Sequence, residues 1–252
     1  MRMIIDAHTH IDECPGSPWQ DPPETILSLM DEAGISRAVV MTYGDAPSSL
    51  WDPLAYVAQA IRRYPHRLIG FARLTPAVGE EACRLLERAI VEAGMKGLKL
   101  HPYGYRIPPD SPETLALIQK AAELGAPTLF HCGDEEFTRP LEIVRAAERC
   151  PEASIILGHM GGYFHVEAAI ECASACPNLY LETSAMPYPA MIRKAVDTIG
   201  PERVIFASDG PGCDPRLELD KIEIAGLSEE EKALVLGGNI ERLLSGVEGG
   251  SG

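Results

Sequence analysis

The chain has 252 residues, of which 46% are hydrophobic and 23% charged, and its formal net charge at pH 7 is −15. This length suits one large domain, and the negative charge disfavours nucleic acid as a partner because phosphate backbones are also negative. The sequence shows neither a signal peptide nor a run of about 18 apolar residues that would cross a membrane. Seven scattered cysteines, an odd number, are typical of reduced thiols in a cytoplasmic protein.

Short apolar runs alternate with amphipathic runs along the whole chain. The apolar runs are rich in Ile, Val, Leu and Phe and show little polar alternation, which is typical of parallel strands covered on both faces. The predicted strands, in chain order, are residues 3–8, 38–42, 68–74, 97–101, 128–131, 154–159, 179–183 and 204–208.

The stretches between these strands have helical patterns. Ser111 precedes a Pro and a Glu, as an N-cap residue does, and Gly34, Gly94 and Gly125 stand where a glycine often ends a helix. Eight strand–helix units of similar length predict a single-domain (β/α)8 TIM barrel. We assign residues 1–246 to this barrel, closed by a helix over 229–244, and residues 247–252 to a flexible tail. An open, doubly wound sheet is the alternative, but it usually has a glycine-rich loop after its first strand.

Several predicted strands end in His or Asp rather than in turn residues. The first strand ends in His8-Thr9-His10, the fourth in His101, the fifth in His131 and the sixth in His159. Asp209 follows the eighth strand. Because the C-terminal ends of barrel strands meet at one mouth, we expect these side chains to lie close together.

The spacing of these residues predicts a metal site. His8 and His10 are two residues apart, so both side chains face the same side of an extended segment. With His131 and Asp209 they offer three nitrogens and one carboxylate oxygen, a set that suits one Zn²⁺ ion with a position left for water. Mn²⁺ and Fe²⁺ are alternatives. Taken singly, His131 also suits a core histidine and Asp209 a helix cap.

Five motifs together resemble the amidohydrolase superfamily, in particular the branch that contains aminocarboxymuconate-semialdehyde decarboxylase and related barrel hydrolases. They are DAHTH at 6–10, GLKLHP at 97–102, His131, GHMGG at 158–162 and SDGP at 208–211, and GNIERLL at 238–244 is similar to the family's terminal helix. The resemblance implies that His8, His10, His131 and Asp209 bind one catalytic metal ion, usually zinc. It places His159 beside the metal as an acid/base or electrostatic group.

A second pattern in the same superfamily uses a carboxylated lysine on the fourth strand to bridge two metal ions. Lys99 occupies that strand, but we favour it as a cationic contact to the substrate. Arg73 and His101 are the other substrate-binding candidates; Arg73 also suits a surface ion pair.

The expected activity is hydrolysis of a small lactone, ester or amide by a metal-activated water, with His159 and Asp209 as catalytic residues. The alternative is metal-dependent decarboxylation of a small unsaturated or aromatic carboxylate. A TatD-type DNase is less favoured because that group expects a Glu ligand on the fourth strand, and a non-catalytic metal- or metabolite-binding barrel is also less favoured. A homo-oligomer is compatible with a barrel, but the sequence does not fix its order.

Three predicted loops are expected to select the substrate: residues 11–21, 43–51 and 184–189. They carry Trp19, Trp51, Met186 and Tyr188, which indicate an apolar or aromatic substrate ring.

Overall fold

The computed structural model describes residues 3–17, 19–44 and 50–247. Eight parallel strands form one sheet in the order of the sequence, and helices connect them. The strands are β1 (Ile5–His10), β2 (Arg37–Met41), β3 (Leu68–Arg73), β4 (Gly97–Leu100), β5 (Thr128–Phe130), β6 (Ile155–Leu157), β7 (Leu179–Glu182) and β8 (Val204–Ile205). The predicted (β/α)8 barrel is confirmed.

The helices surround the barrel, and the last of them covers one of its ends. They are α1 (Pro23–Ala33), α2 (Asp52–Arg63), α3 (Glu80–Val91), α4 (Pro102–Tyr105), α5 (Pro112–Glu123), α6 (Pro140–Arg149), α7 (Val166–Ala175), α8 (Pro189–Ile199), α9 (Pro215–Ile224), α10 (Glu229–Ala233) and α11 (Asn239–Ser245). The predicted caps are present: Ser111 accepts a hydrogen bond from the backbone nitrogen of Thr114, and Gly34 ends α1 with φ of 70°. No helix in the described ranges is long and apolar enough to span a membrane.

Two apolar layers hold the barrel together. The larger one lies between the strands and the surrounding helices, and the smaller one fills the barrel itself. The interior layer consists of Ile5, Ala7, Val39, Met41, Ile69, Phe71, Leu129, Ile156, Ile205, Ala207 and Ile240. Because Ile240 belongs to α11, this helix covers the end of the barrel opposite the C-terminal strand ends, as its predicted closing role requires.

The barrel closes where its first and last strands meet. The backbone nitrogen of Asp209 donates to the carbonyl oxygen of His8 at 2.8 Å, and the nitrogen of His10 donates to the oxygen of Gly210 at 2.7 Å. These bonds extend β1 to His10, whereas the predicted first strand covers residues 3–8. The strand has the same six-residue length as predicted but lies two positions further along, because Thr9 and His10 pair both with β2 and with the segment after β8, which local sequence does not reveal.

The predicted helix over 229–244 is interrupted. A π-helical turn at Leu234–Gly238 separates α10 from α11. A side chain at Gly237 would approach the carbonyl oxygen of Met3 to 2.8 Å, so the glycine lets this turn pack against the start of the chain. The predicted tail lies outside the described residues apart from Val247, as do residues 45–49 of the predicted loop 43–51.

Candidate active site

A cavity of about 660 Å³ opens at the C-terminal ends of the strands. All eight residues that the sequence singled out for the site line it: His8, His10, Arg73, Lys99, His101, His131, His159 and Asp209. The remaining lining residues are Trp19, Asp21, Tyr43, Pro211 and Gly212. The expectation that these distant positions meet at one mouth is therefore confirmed.

A change of register in β1 turns both of its histidines into the cavity. The pairing of β1 with β2 shifts by one residue after Asp6. Up to Ala7 the strand turns Ile5 and Ala7 toward the barrel interior, and from His8 onward it turns His8 and His10 into the cavity. One extra residue in a strand turns every following side chain to the opposite face of the sheet. This bulge therefore allows β1 to place core residues first and site residues after them on the same, inner side of the barrel.

Three potential metal ligands converge at the seam between β1 and β8. Oδ1 of Asp209 lies 3.5 Å from Nε2 of His8 and 3.2 Å from Nε2 of His10. Nδ1 of His10 lies 3.2 Å from the carbonyl oxygen of Thr42 and must donate to it, because a carbonyl only accepts. Nδ1 of His8 donates in the same way to Oε1 of Glu182 at 2.9 Å. Both Nε2 atoms therefore present lone pairs next to a carboxylate oxygen.

This donor set fits a divalent cation. Lone pairs on two nitrogens and one carboxylate oxygen face each other at 3.2–3.5 Å, so positive charge stabilises the group. The ammonium of Lys99 supplies such charge to His8, and a divalent ion could supply it to all three atoms. Burial lowers the pKa of His10 and holds that of His8 well below its usual range, so both rings are neutral and could bind a metal ion.

His131 lies in the same cavity but outside this close group. Its Nδ1 is 3.1 Å from Nε2 of His159, and its Nε2 is 3.4 Å from Oε2 of Glu135. The close group of potential ligand atoms thus contains His8, His10 and Asp209. The metal-binding role of His131 stays a prediction.

His159 and Asp209, the two predicted catalytic residues, both have left-handed backbones. Their φ angles are 56° and 61°. Residues other than glycine adopt this conformation infrequently, although Asp and His do so more readily than most, and such residues are enriched at functional sites. In His159 it follows the end of β6 and brings the ring beside His8, with 5.2 Å between ring centroids.

Two buried carboxylates that the sequence analysis did not single out support the site. Oδ1 of Asp6 accepts hydrogen bonds from the backbone nitrogens of His8 at 3.2 Å and Ser208 at 2.9 Å, and burial raises the pKa of Asp6 to about 7. Glu182 is completely buried behind His8. Strand alternation could have identified Glu182 as facing the inside of the barrel. Side chains two residues apart on a strand face the same side, and Tyr180, two residues before Glu182, packs against the interior layer.

The predicted substrate contacts lie on neighbouring strands. Lys99 is 1% exposed, and its Nζ lies 2.8 Å from Nε2 of His8. Nη1 of Arg73 donates to the oxygen of Thr42 at 3.3 Å. The ring of His101 meets that of His131 edge to face, with 4.6 Å between centroids. All three face the cavity, which places two side-chain cations beside the candidate metal ligands.

One wall of the cavity is aromatic. The ring of Tyr43 stacks on His10 with 4.4 Å between centroids and 15° between planes. Trp19 lies 6.1 Å from Tyr43, and its side chain is 61% exposed. An apolar ring entering the cavity would meet this wall beside the candidate metal ligands.

The other loop residues that suggested an aromatic substrate do not line the cavity. The guanidinium group of Arg88 lies over the ring of Trp51, with 3.6 Å between Cζ of Arg88 and the ring centroid. Met186 is buried, and Tyr188 packs against Tyr163. Trp19 is thus the member of the predicted set that faces the cavity, and Tyr43 is the aromatic residue that the prediction did not name.

The sequence model of the protein family described as "Amidohydrolase" matches residues 5–246, so the chain belongs to this family. The chain is 23% identical to the gamma-resorcylate decarboxylase of Polaromonas sp. strain JS666, over 86% of this chain and 85% of that protein. The resemblance to the amidohydrolase superfamily is confirmed.

Solved structures share the fold over nearly the whole chain. The 5-carboxyvanillate decarboxylase of Sphingomonas paucimobilis matches with a TM-score of 0.79 at 19% identity, over 98% of this chain and 100% of that chain. A dihydroxybenzoic acid decarboxylase of Polaromonas sp. JS666, with bound manganese and the inhibitor 2-nitroresorcinol, matches with a TM-score of 0.79 at 19% identity, over 97% of both chains.

These relatives favour one of the two expected activities. They are decarboxylases, so they support the expected carboxy-lyase alternative and not hydrolysis of a lactone, ester or amide. The manganese in one of them agrees with a divalent metal but does not support zinc in particular.

Proposed function

We propose that the protein is a metal-dependent decarboxylase of a small aromatic carboxylate. The observation that carries this proposal is the joint lining of one cavity by a candidate cation site, two side-chain cations and an aromatic wall. The gamma-resorcylate and 5-carboxyvanillate decarboxylases among its relatives support the same class of substrate.

The cavity suits a single aromatic ring bearing a carboxylate. Its volume of about 660 Å³ is within the usual range for small-molecule sites. Arg73 and Lys99 would hold the negative carboxylate, because both cations face the cavity. Tyr43 and Trp19 would contact the face of the ring.

His8, His10 and Asp209 would hold one divalent ion, with His131 as the further ligand implied by the family resemblance. We propose Mn²⁺ as the first ion to test because manganese is bound in related solved structures. When bound, it would supply a Lewis acid that withdraws electron density from oxygen atoms of the substrate.

Decarboxylation exchanges a carboxylate for a proton on the ring carbon. The electron pair of the breaking C–C bond stays with that carbon, CO₂ leaves, and a proton must arrive. His159 would deliver this proton to the ring carbon, since it lines the cavity. Its Nε2 lies 3.1 Å from Nδ1 of His131. The side chain of His131 is 22% exposed, so the two rings offer a path for protons from solvent. Asp209 would balance the positive charge of the site.

The test is CO₂ release from a panel of aromatic carboxylates by the Mn²⁺-loaded protein. The panel contains 2,6-dihydroxybenzoate, 5-carboxyvanillate and unsubstituted benzoate, and a second panel contains lactones and aryl esters. We expect CO₂ release from a hydroxylated member, its loss after chelation and its return with Mn²⁺. Turnover of the lactones or esters without any CO₂ release would instead establish hydrolysis.

A further inference from the structure

Glu182 has hydrogen-bond partners on both of its oxygens although it is completely buried. Oε1 accepts from Nδ1 of His8 at 2.9 Å, from the backbone nitrogen of His159 at 2.9 Å and from Oγ of Ser184 at 3.0 Å. Oε2 accepts from the backbone nitrogen of Ser184 at 2.7 Å. One carboxylate at the end of β7 thus connects a candidate metal ligand with the predicted catalytic histidine.

These contacts make Glu182 a support and not a second metal site. His8, His159 and Glu182 do place nitrogen and oxygen atoms within 4.8 Å of one another, close enough for an ion. However, hydrogens already point at Glu182 from His8, His159 and Ser184. A cation there would have to displace those hydrogens, so hydrogen bonding accounts for the group completely.

The shape of the neighbouring backbone is adapted to this carboxylate. A side chain at Gly158 would approach the carbonyl oxygen of Phe130 to 2.6 Å and Oε1 of Glu182 to 3.3 Å. The glycine therefore allows the end of β6 to come close enough for the backbone nitrogen of His159 to reach Glu182.

We propose that Glu182 is a positioning residue that keeps His8 protonated on Nδ1 and so aims the lone pair of Nε2 at the candidate metal position beside Asp209. The carboxylate does this because it accepts the Nδ1 hydrogen and excludes the other tautomer. The inference rests on the proposed metal site but not on the reaction catalysed there.

Ser184 provides a matched control on the same carboxylate. Its Oγ donates to Oε1 of Glu182 and accepts from Nδ1 of His159 at 2.8 Å. Ser184→Ala removes the link to the His159 ring but leaves the bond between Glu182 and His8. Glu182→Gln keeps the shape of the side chain but removes its negative charge. It also replaces one acceptor oxygen by an NH₂ group, which then faces a hydrogen-bond donor, because donors face both oxygens of Glu182.

The experiment measures Mn²⁺ affinity by equilibrium dialysis and the ring tautomers by ¹⁵N NMR of histidine-labelled, metal-free protein. We expect Glu182→Gln to weaken Mn²⁺ binding by about 10- to 100-fold, the usual effect of losing such an outer partner of a ligand. We expect His8 to be Nδ1-protonated in the wild type and mixed when Glu182→Gln is combined with Lys99→Met, because the ammonium of Lys99 also faces Nε2 of His8 and disfavours a proton there. Ser184→Ala should keep the wild-type affinity and change the tautomer of His159 alone.

Four results would overturn the inference: His8 protonated on Nε2 in the wild type, wild-type affinity in Glu182→Gln, equal loss of affinity in both variants, or a wild type that binds no Mn²⁺. An Nε2-protonated His8 in the wild type would overturn it even if Glu182→Gln does not fold. A different outcome would refute the proposed reaction but not the role of Glu182. In that outcome, Mn²⁺ binding and the His8 tautomer are as expected, but no substrate releases CO₂.

Discussion

The ammonium group of Lys99 donates a hydrogen bond to Nε2 of His8, the atom of His8 that faces the other potential metal ligands. The two nitrogens are 2.8 Å apart, and both side chains are 1% exposed. His8 accepts here because its Nδ1 donates to Glu182. A divalent ion that used this lone pair would move Lys99 away from His8 and toward a substrate carboxylate.

Lys99→Met should therefore separate metal binding from turnover. We expect Mn²⁺ to bind at least as tightly as in the wild type, because a competing and repelling cation is gone. CO₂ release should fall by about 100-fold or more, since a buried charged hydrogen bond to substrate is lost. Lys194→Met, on the exposed surface of α8, is the control. If the wild type binds two ions and Lys99→Met binds one, the result would instead support a carboxylated Lys99 that bridges two metal ions.

Metal content itself tests the ligand set. We expect about one divalent ion per chain in the wild type and in His66→Ala, whose ring is exposed and remote, and none in a His8→Ala/His10→Ala variant. Elemental analysis of purified protein measures this. Chelation should lower the melting temperature of the wild type, since a ligand at 100 times its Kd stabilises by about 2.7 kcal/mol. An unchanged melting temperature would argue against a bound ion.

His131→Ala and His159→Asn should differ in what they lose. The predicted ligand role of His131 requires that its removal weaken Mn²⁺ binding and turnover together. His159→Asn should keep the ion and reduce kcat by roughly 10²- to 10⁴-fold, the usual contribution of a proton-transfer residue. Turnover that survives in His159→Asn would contradict its catalytic role, and full metal affinity in His131→Ala would remove that residue from the ligand set.

The aromatic wall should affect substrate binding more than chemistry. Tyr43→Ala removes a ring that stacks on His10 and faces the cavity, so we expect KM for the aromatic substrate to rise by about 10-fold, equivalent to about 1.4 kcal/mol. Tyr43→Phe keeps the ring and should behave almost as the wild type does. Steady-state kinetics of both variants provide the measurement, and equal KM values in all three proteins would show that the ring does not contact substrate.

A stability test concerns the barrel interior. Gly97 on β4 pairs with Phe71 on β3, and a side chain at Gly97 would lie 2.4 Å from the ring. Gly97→Ala should therefore destabilise the fold by about 1–3 kcal/mol through overpacking, measured by urea unfolding. Gly97→Ala combined with Phe71→Leu should cost less than the sum of the two single changes, because the smaller side chain relieves the clash. Strict additivity would contradict this account.

The barrel and the position of the site were predictable for a simple physical reason. Buried parallel strands have apolar sequences, so His131 or Asp209 immediately after such a run stands out. Glu182 and Asp6 were not singled out. A carboxylate inside or beside an apolar run cannot be assigned to the site until it is known which face of the strand carries its side chain. The face in turn depends on register, and the bulge after Asp6 alters register through pairing with β2, which is not encoded locally.

The seam between β1 and β8 joins residues that are about two hundred positions apart, and the candidate metal ligands lie directly on it. The site therefore cannot exist in a nascent or truncated chain that lacks the last strand, however well its first seven units have formed. An ion bound there would link the two ends of the barrel and reduce the freedom of the open chain, as a cross-link between distant residues does. Acquisition of metal would then report that the last strand has joined the first.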